Sequence, residues 1–193
     1  KAKDLMQVLV AHHVNLVPTL VHDAPSYPKN WSLYVDEANK TFSNPSLLAY
    51  YDKDFLEEMK GTLAHTDPPE LHTKRVAGYQ NMLRWNKMYD AAGGHVIAGG
   101  DTNGGKAPGD ILHAEMEALQ EAGIPRMHII EGATEWPAEA LHAEDKSGSL
   151  TPGKLADVLI VDADPLQDIA NLRKIDTVIF DGKPVDRTYH AYF

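Results

Sequence analysis

Apolar positions follow two rhythms along the chain, and the change of rhythm marks where elements are expected to change. Leu5, Val8, Leu9 and Ala11 recur at helical spacing, which predicts a helix over Asp4–His12. The next stretch, Val14 to Val21, is mostly apolar and β-branched and reads as a short buried strand. Pro18 ends its ladder or sits at a bulge, because proline has no N–H to give. From His22 to Thr73 the pattern dissolves into Pro, Asn, Asp and aromatics, among them Trp31, Tyr34, Phe42, Tyr51 and Phe55. A structureless loop of about fifty residues is improbable in a compact domain. This excursion is therefore expected to fold back as an insertion, with short helices over Pro45–Tyr51 and Asp54–Leu63 and the aromatics forming a satellite core. Such insertions often serve as lids.

Helical spacing returns at Tyr79, Met82, Trp85 and Tyr89, predicting a helix over Lys74–Ala92 that Gly93-Gly94 stops. His95–Ala98 reads as a second short strand, running into the glycine-rich turn Gly99–Lys106, and a helix follows from Gly109 to Ala122. The order helix, strand, excursion, helix, strand, loop, helix belongs to parallel β/α architecture, whose functional loops leave the carboxyl ends of strands. Two short helices are expected next, over Arg126–Gly132 and Pro137–His142. The chain then changes character: Leu155–Val161 and Thr177–Phe180 are strand-like, and Asp181-Gly182 is a hairpin turn before Lys183-Pro184-Val185. The expected division is residues 1–146 as the α/β part, with an insertion at 22–73, and residues 147–193 as a small β module.

Composition narrows the partners. The chain's 28 acidic and 18 basic residues give a net charge of −10, which argues against nucleic acid and anionic membrane, both of which call for clustered Lys and Arg. The longest apolar run, Leu5 to Val21, is broken by Gln7, His12, His13, Asn15 and Pro18, so no membrane span is expected. The absence of cysteine excludes disulfides, thiolate-ligated zinc, iron–sulfur clusters and a thiol nucleophile. It leaves the compartment open, with a cytoplasmic location expected. The chain begins at Lys1 without a signal-like series; a missing upstream segment and a processed N-terminus both fit that start.

Asp101 has the best address for chemistry, at the carboxyl end of a short strand and flanked by glycines that let substrate or metal approach the backbone closely. The plainer reading is that Asp-Thr-Asn-Gly is a good turn. The same loop is a near miss to a phosphate-binding loop: Gly100, Gly105 and Lys106 match, but Ala107 stands where the magnesium-holding hydroxyl belongs and Pro108 interrupts the helix start. A calcium loop fails at its twelfth position, Leu112. The ten histidines contain no His-x-His and no His-Glu-x-x-His, and no Gly-x-Ser-x-Gly elbow occurs. His22 lies just past the first strand. His113 and Glu115, on the helix after the glycine loop, can face the same mouth as Asp101, a solvated helical face being the plainer reading.

Several stretches together resemble the amidohydrolase superfamily, in its imidazolonepropionase- and prolidase-like branch. They are Val14 to Leu20, Val96 to Thr102, Ala133 to Leu141, Gly148 to Val161, Asp164-Pro165-Leu166 and Val178 to Lys183. The Gly148–Val161 run is the most specific of them. The resemblance implies an α/β fold, the C-terminal part of a (β/α)8 TIM-type barrel plus strands of a small appended β-sandwich, with Val14–Leu20 as the seventh barrel strand and His95–Gly100 as the eighth. It also implies that Asp101 is the aspartate that ligates metal and handles the proton of the metal-bound water as that water attacks the carbonyl carbon of an amide or similar bond. His22, Thr102 and His113 are then candidate substrate-binding residues, and zinc, one or two ions, is the expected cofactor.

The departures are also clear. The family's His-x-His and its other metal ligands have no counterpart here, and Gly-Gly-Asp replaces the more frequent Gly-Thr-Asp. One ligand cannot hold a catalytic zinc, which takes three protein ligands, so this chain alone is expected to bind none stably. The expected substrate is a small amide, dipeptide or cyclic amide. The expected partner is an upstream barrel segment or a second copy of the chain. The alternative is a catalytically silent fragment or subunit that completes its barrel with a partner chain.

Overall fold

A computed structural model describes residues 2–22, 28–49, 51–64, 67–101 and 109–187. In these, helix α1 (Ala2–Ala11) leads to a short extended segment at 14–17, and the excursion then contains α2 (Pro28–Ser43), α3 (Pro45–Leu48) and α4 (Lys53–Ala64). Helix α5 (Pro69–Ala91) returns the chain to a second extended segment at 95–98, and α6 (Asp110–Ala122), α7 (Arg126–Gly132) and α8 (Glu135–Ala140) follow. Strands β1 (Val158–Val161), β2 (Ile175–Phe180) and β3 (Lys183–Pro184) close the chain, with a 3-10 turn at Ile169–Arg173 between the first two.

The expected first strand shrinks to a single parallel bridge, Leu16 to Val96. Its ladder stops because Pro18 offers no donor and Thr19 turns the chain out of the extended region at φ +47°. The two segments nevertheless run side by side: the Leu16 N–H donates to the His95 carbonyl at 3.0 Å and the Ile97 N–H to the Leu16 carbonyl at 2.8 Å. The Tyr89 hydroxyl donates to the Val14 carbonyl and ties α5 to the first of them.

The excursion is more helical than expected. Helix α2, sixteen residues with Pro28 at its start, lies where the composition suggested irregular chain, and α3 is shorter than the Pro45–Tyr51 expectation. Trp31 stacks on Tyr34 at 5.5 Å and Tyr51 on Phe55 at 4.7 Å, so these aromatics pack among themselves, and Ala38, Thr41 and Met59 of the same excursion are buried. Helix α5 starts at Pro69 rather than Lys74, a proline at the first helical position costing no hydrogen bond. Its inward face is Tyr79, Leu83, Asn86, Tyr89 and Asp90, while Met82 remains 38% exposed. Likewise α1 buries Met6 rather than Leu5 and Val8.

The core joins α1, α5, α6, α7 and the two extended segments through Met6, Leu20, Val21, Leu83, Tyr89, Val96, Ile111, Leu119 and Ile129. Ile169 also enters it, and the 3-10 turn is moored to α6 by polar groups. Gln120 Nε2 donates to Asp168 at 2.9 Å, Gln120 Oε1 accepts from the Ile169 N–H at 3.0 Å, and Arg173 Nε donates to Glu117 at 2.6 Å. The three strands form one antiparallel sheet in the order β1-β2-β3. Asp181 and Gly182, both at positive φ (+49° and +75°), make the turn expected between the last two.

Candidate active site

Parallel neighbours deliver their carboxyl ends to the same edge, and here those ends are Thr19–His22 and Gly99–Asp101. Two close approaches bring the second end into place. A Cβ on Gly99 would lie 2.6 Å from Val17 Cγ1, and one on Gly100 would lie 2.7 Å from Ile111 Cγ1. Only glycine lets the strand pass between its neighbour and α6. Asp101 then leaves at φ +48°, a left-handed conformation that a short polar side chain tolerates best.

At this edge His22 Nδ1 lies 3.3 Å from Asp101 Oδ2, the two side chains being 45% and 44% exposed. The pair is within ion-pair distance when the imidazole is protonated. With Nδ1–H toward the carboxylate, Nε2 is the basic nitrogen. A half-exposed carboxylate can accept a proton or bind a cation while substrate reaches it from solvent. Thr102 lies outside the described residues. His113 is half-buried on α6, and its pKa is lowered, first by burial and then by the Arg173 cation, with Asp110 and Glu117 opposing.

Glu115 does not lie on a solvated face. It is fully buried, and its carboxylate receives the Leu20 N–H on Oε1 and the Val21 N–H on Oε2, each at 3.0 Å. A sequence signal for this existed: Ile111, Glu115, Ala118, Leu119 and Ala122 form the buried stripe of α6, so the glutamate occupies a core position. Other histidines have structural neighbours. His128 Nδ1 lies 2.7 Å from the buried Asp90, and His95 stacks on Trp136 at 4.3 Å.

The donor chemistry at Asp101 and His22, one carboxylate oxygen and one imidazole nitrogen, suits a divalent cation such as zinc. The count does not reach a catalytic site: among the described residues no group of three or more His, Asp or Glu could hold a metal ion. Among the same residues no helix is long and apolar enough to cross a membrane.

Residues 45–185 match the amidohydrolase family, a span that includes the second half of the excursion. Among solved structures, the chain is similar to a Xaa-Pro dipeptidase with bound methionine in its active site, at 22% identity and a TM-score of 0.63, covering 95% of this chain and 37% of that one. It is similar to an amidohydrolase at 23% identity and a TM-score of 0.60, covering 97% and 38%. A candidate prolidase from Bifidobacterium longum gives 25% identity and a TM-score of 0.57, covering 93% and 37%. The chain thus spans less than two fifths of the length of each of these structures. No curated protein matches it.

Proposed function

Since the chain belongs to the amidohydrolase family, we propose that it is the C-terminal part of a metal-dependent hydrolase acting on the C–N bond of a small amide, dipeptide or cyclic amide. The observation that carries this reading is the His22–Asp101 pair at 3.3 Å on the shared carboxyl edge of two parallel segments, the edge where β/α barrels hold their chemistry. In this reading residues 1–146 belong to a (β/α)8 barrel, 147–193 to a small β-sandwich, and the insertion 22–73 is a lid over the site.

Hydrolysis of an amide forms a bond from water oxygen to the carbonyl carbon, breaks the C–N bond and moves a proton to the departing nitrogen. Asp101 accepts the proton from the attacking water at a carboxylate oxygen and returns it to the leaving amine. His22, Thr102 and His113 are the proposed substrate contacts, and His22 also orients the Asp101 carboxylate. A bound divalent metal, zinc in this reading, lowers the pKa of water and polarises the carbonyl. Asp101 is this chain's contribution to its ligands, the remainder coming from an upstream barrel segment or a second copy of the chain. The apolar side chains that the β strands leave in water, Leu159, Ile160 and Phe180, support such a partner.

Replacing Asp101 by Asn in the full-length protein tests the reading. Turnover of a panel of dipeptides and small amides should fall by about a thousandfold or more, with the melting temperature nearly unchanged. Near-normal turnover in Asp101→Asn would overturn it.

A further inference from the structure

Both ends of the candidate site are referenced to one helix, and we infer that Glu115 is the positioning residue that holds His22 against Asp101, an inference that rests on the hydrolytic reading above. The segment Thr19–His22 is a tight turn closed by the His22 N–H on the Thr19 carbonyl at 3.1 Å. Such a turn uses the amide of its fourth residue and leaves those of its two central residues to find acceptors elsewhere. Here the central residues are Leu20 and Val21, which are 1% and 2% exposed as whole residues, so their amides lie away from water. One carboxylate takes both, an oxygen for each, from 95 and 94 residues away in sequence.

Filling space does not require an ion at this position. The rest of the α6 stripe is Ile111, Met116, Ala118, Leu119 and Ala122, and a carboxylate placed among such residues loses its hydration. In return it gives a two-point, charge-assisted grip that fixes both the position and the rotation of the turn. Ile111, four residues earlier and therefore on the same face of α6, packs against Gly100 and sets the approach of Asp101. Ile111 thus places one partner of the pair and Glu115 the other. His22 follows Val21 directly, so a shift of the turn moves His22 relative to Asp101.

The test is Glu115→Gln in the full-length protein, a change that keeps the shape and turns one acceptor into a donor facing a backbone N–H. A crystal structure should show the His22–Asp101 separation opening from 3.3 Å to beyond about 4 Å, past direct pairing distance. In turnover, kcat should fall about 10- to 100-fold with KM within about threefold, the pattern of a displaced but intact site. In a His22→Asn background the same change should lower kcat by less than about twofold, since its route is already removed. An unchanged separation, or an equal loss of kcat in both backgrounds, overturns the inference. Should Glu115→Gln not fold, amide exchange in the unaltered protein decides: Leu20 and Val21 exchanging as slowly as Leu119 supports the grip, and fast exchange overturns it. A protein that hydrolyses none of the substrate panel sinks the hydrolytic reading, while the separation and the exchange rates still decide what Glu115 does.

Discussion

Around the parallel segments, Leu20, Val96, Leu119 and Ile129 are all at or below 1% exposed, whereas in the antiparallel sheet Leu159, Ile160 and Phe180 remain 45%, 43% and 66% exposed. The first region contains two segments joined by a single parallel bridge and shares one core with α1, α5, α6 and α7. The second has the better-formed strands, in register from Val158–Ile179 to Val161–Ile175 with one irregularity, yet leaves apolar side chains in water. A groove of about 780 Å³ beside it is lined by Met127, Leu141, Leu150, Leu155 and Leu159, among others. Regular hydrogen bonding and burial are thus separate achievements. The candidate site sits in the region that has burial, and a positioned imidazole–carboxylate pair needs packing behind it more than it needs a long ladder.

The sharpest test of that contrast is a pair of truncations. Leu119→Ala removes a side chain with no exposure from the core and should cost about 3 kcal/mol or more. Phe180→Ala removes a larger side chain from the sheet and should cost less than about 1 kcal/mol, because most of its surface is already in water. Urea unfolding of the two variants reads the difference, and equal losses would break the comparison. A smaller effect is expected at the seam between strand and helix. Gly100→Ala puts a methyl 2.7 Å from Ile111 Cγ1 and 3.1 Å from the Ile111 backbone carbonyl carbon, and should destabilise by about 1–3 kcal/mol. Because the strain lies next to Asp101, turnover should fall as well, and an unchanged melting temperature would show that the seam has room to spare.

Much of this arrangement was legible in the sequence, and the parts that were not share a cause. Local punctuation was reliable where it marked ends: Gly93-Gly94 ends α5 and Asp181-Gly182 turns the last hairpin, whereas the glycines before Asp101, read as room for substrate or metal, face Val17 and Ile111 instead. Registers were less so. Met6 rather than Leu5 faces the core, and Met82 lies outside it, because a stripe only one or two residues wide can be drawn on either side of a helix. Helix α2 was hidden by its asparagines and aromatics, which weaken a propensity argument but not the packing of Ala38 and Thr41. The α6 stripe separates Glu115 from Glu117 and Glu121 and marks it as buried, but its partners have no local sign. They are a pair of amides more than ninety residues away, which no local window contains.

His113 offers the finest test, since it sits on α6 where the two regions are joined. Its neighbour Arg173 pairs with Glu117 at 2.6 Å and approaches Asp110 at 3.6 Å. Burial first, and the guanidinium second, lower the imidazole pKa below its ordinary 6.5. The folded state therefore resists protonation that the unfolded chain accepts. Above that ordinary value both states are neutral and the group contributes no pH dependence. As the pH falls through it, the unfolded chain binds the proton first, so stability drops and keeps dropping until the lowered folded value is passed. His113→Gln removes this slope. The difference in unfolding free energy between the variant and the unaltered protein should shift in the variant's favour between pH 7 and pH 5. Half exposure keeps the shift small. It should also be local: amide exchange in acid ought to rise first in the Ile169–Arg173 turn, which Arg173 and Gln120 moor to α6, and only later at Leu119. Simultaneous loosening of both would mean that the sheet and the core unfold as one unit, despite the contrast in their burial.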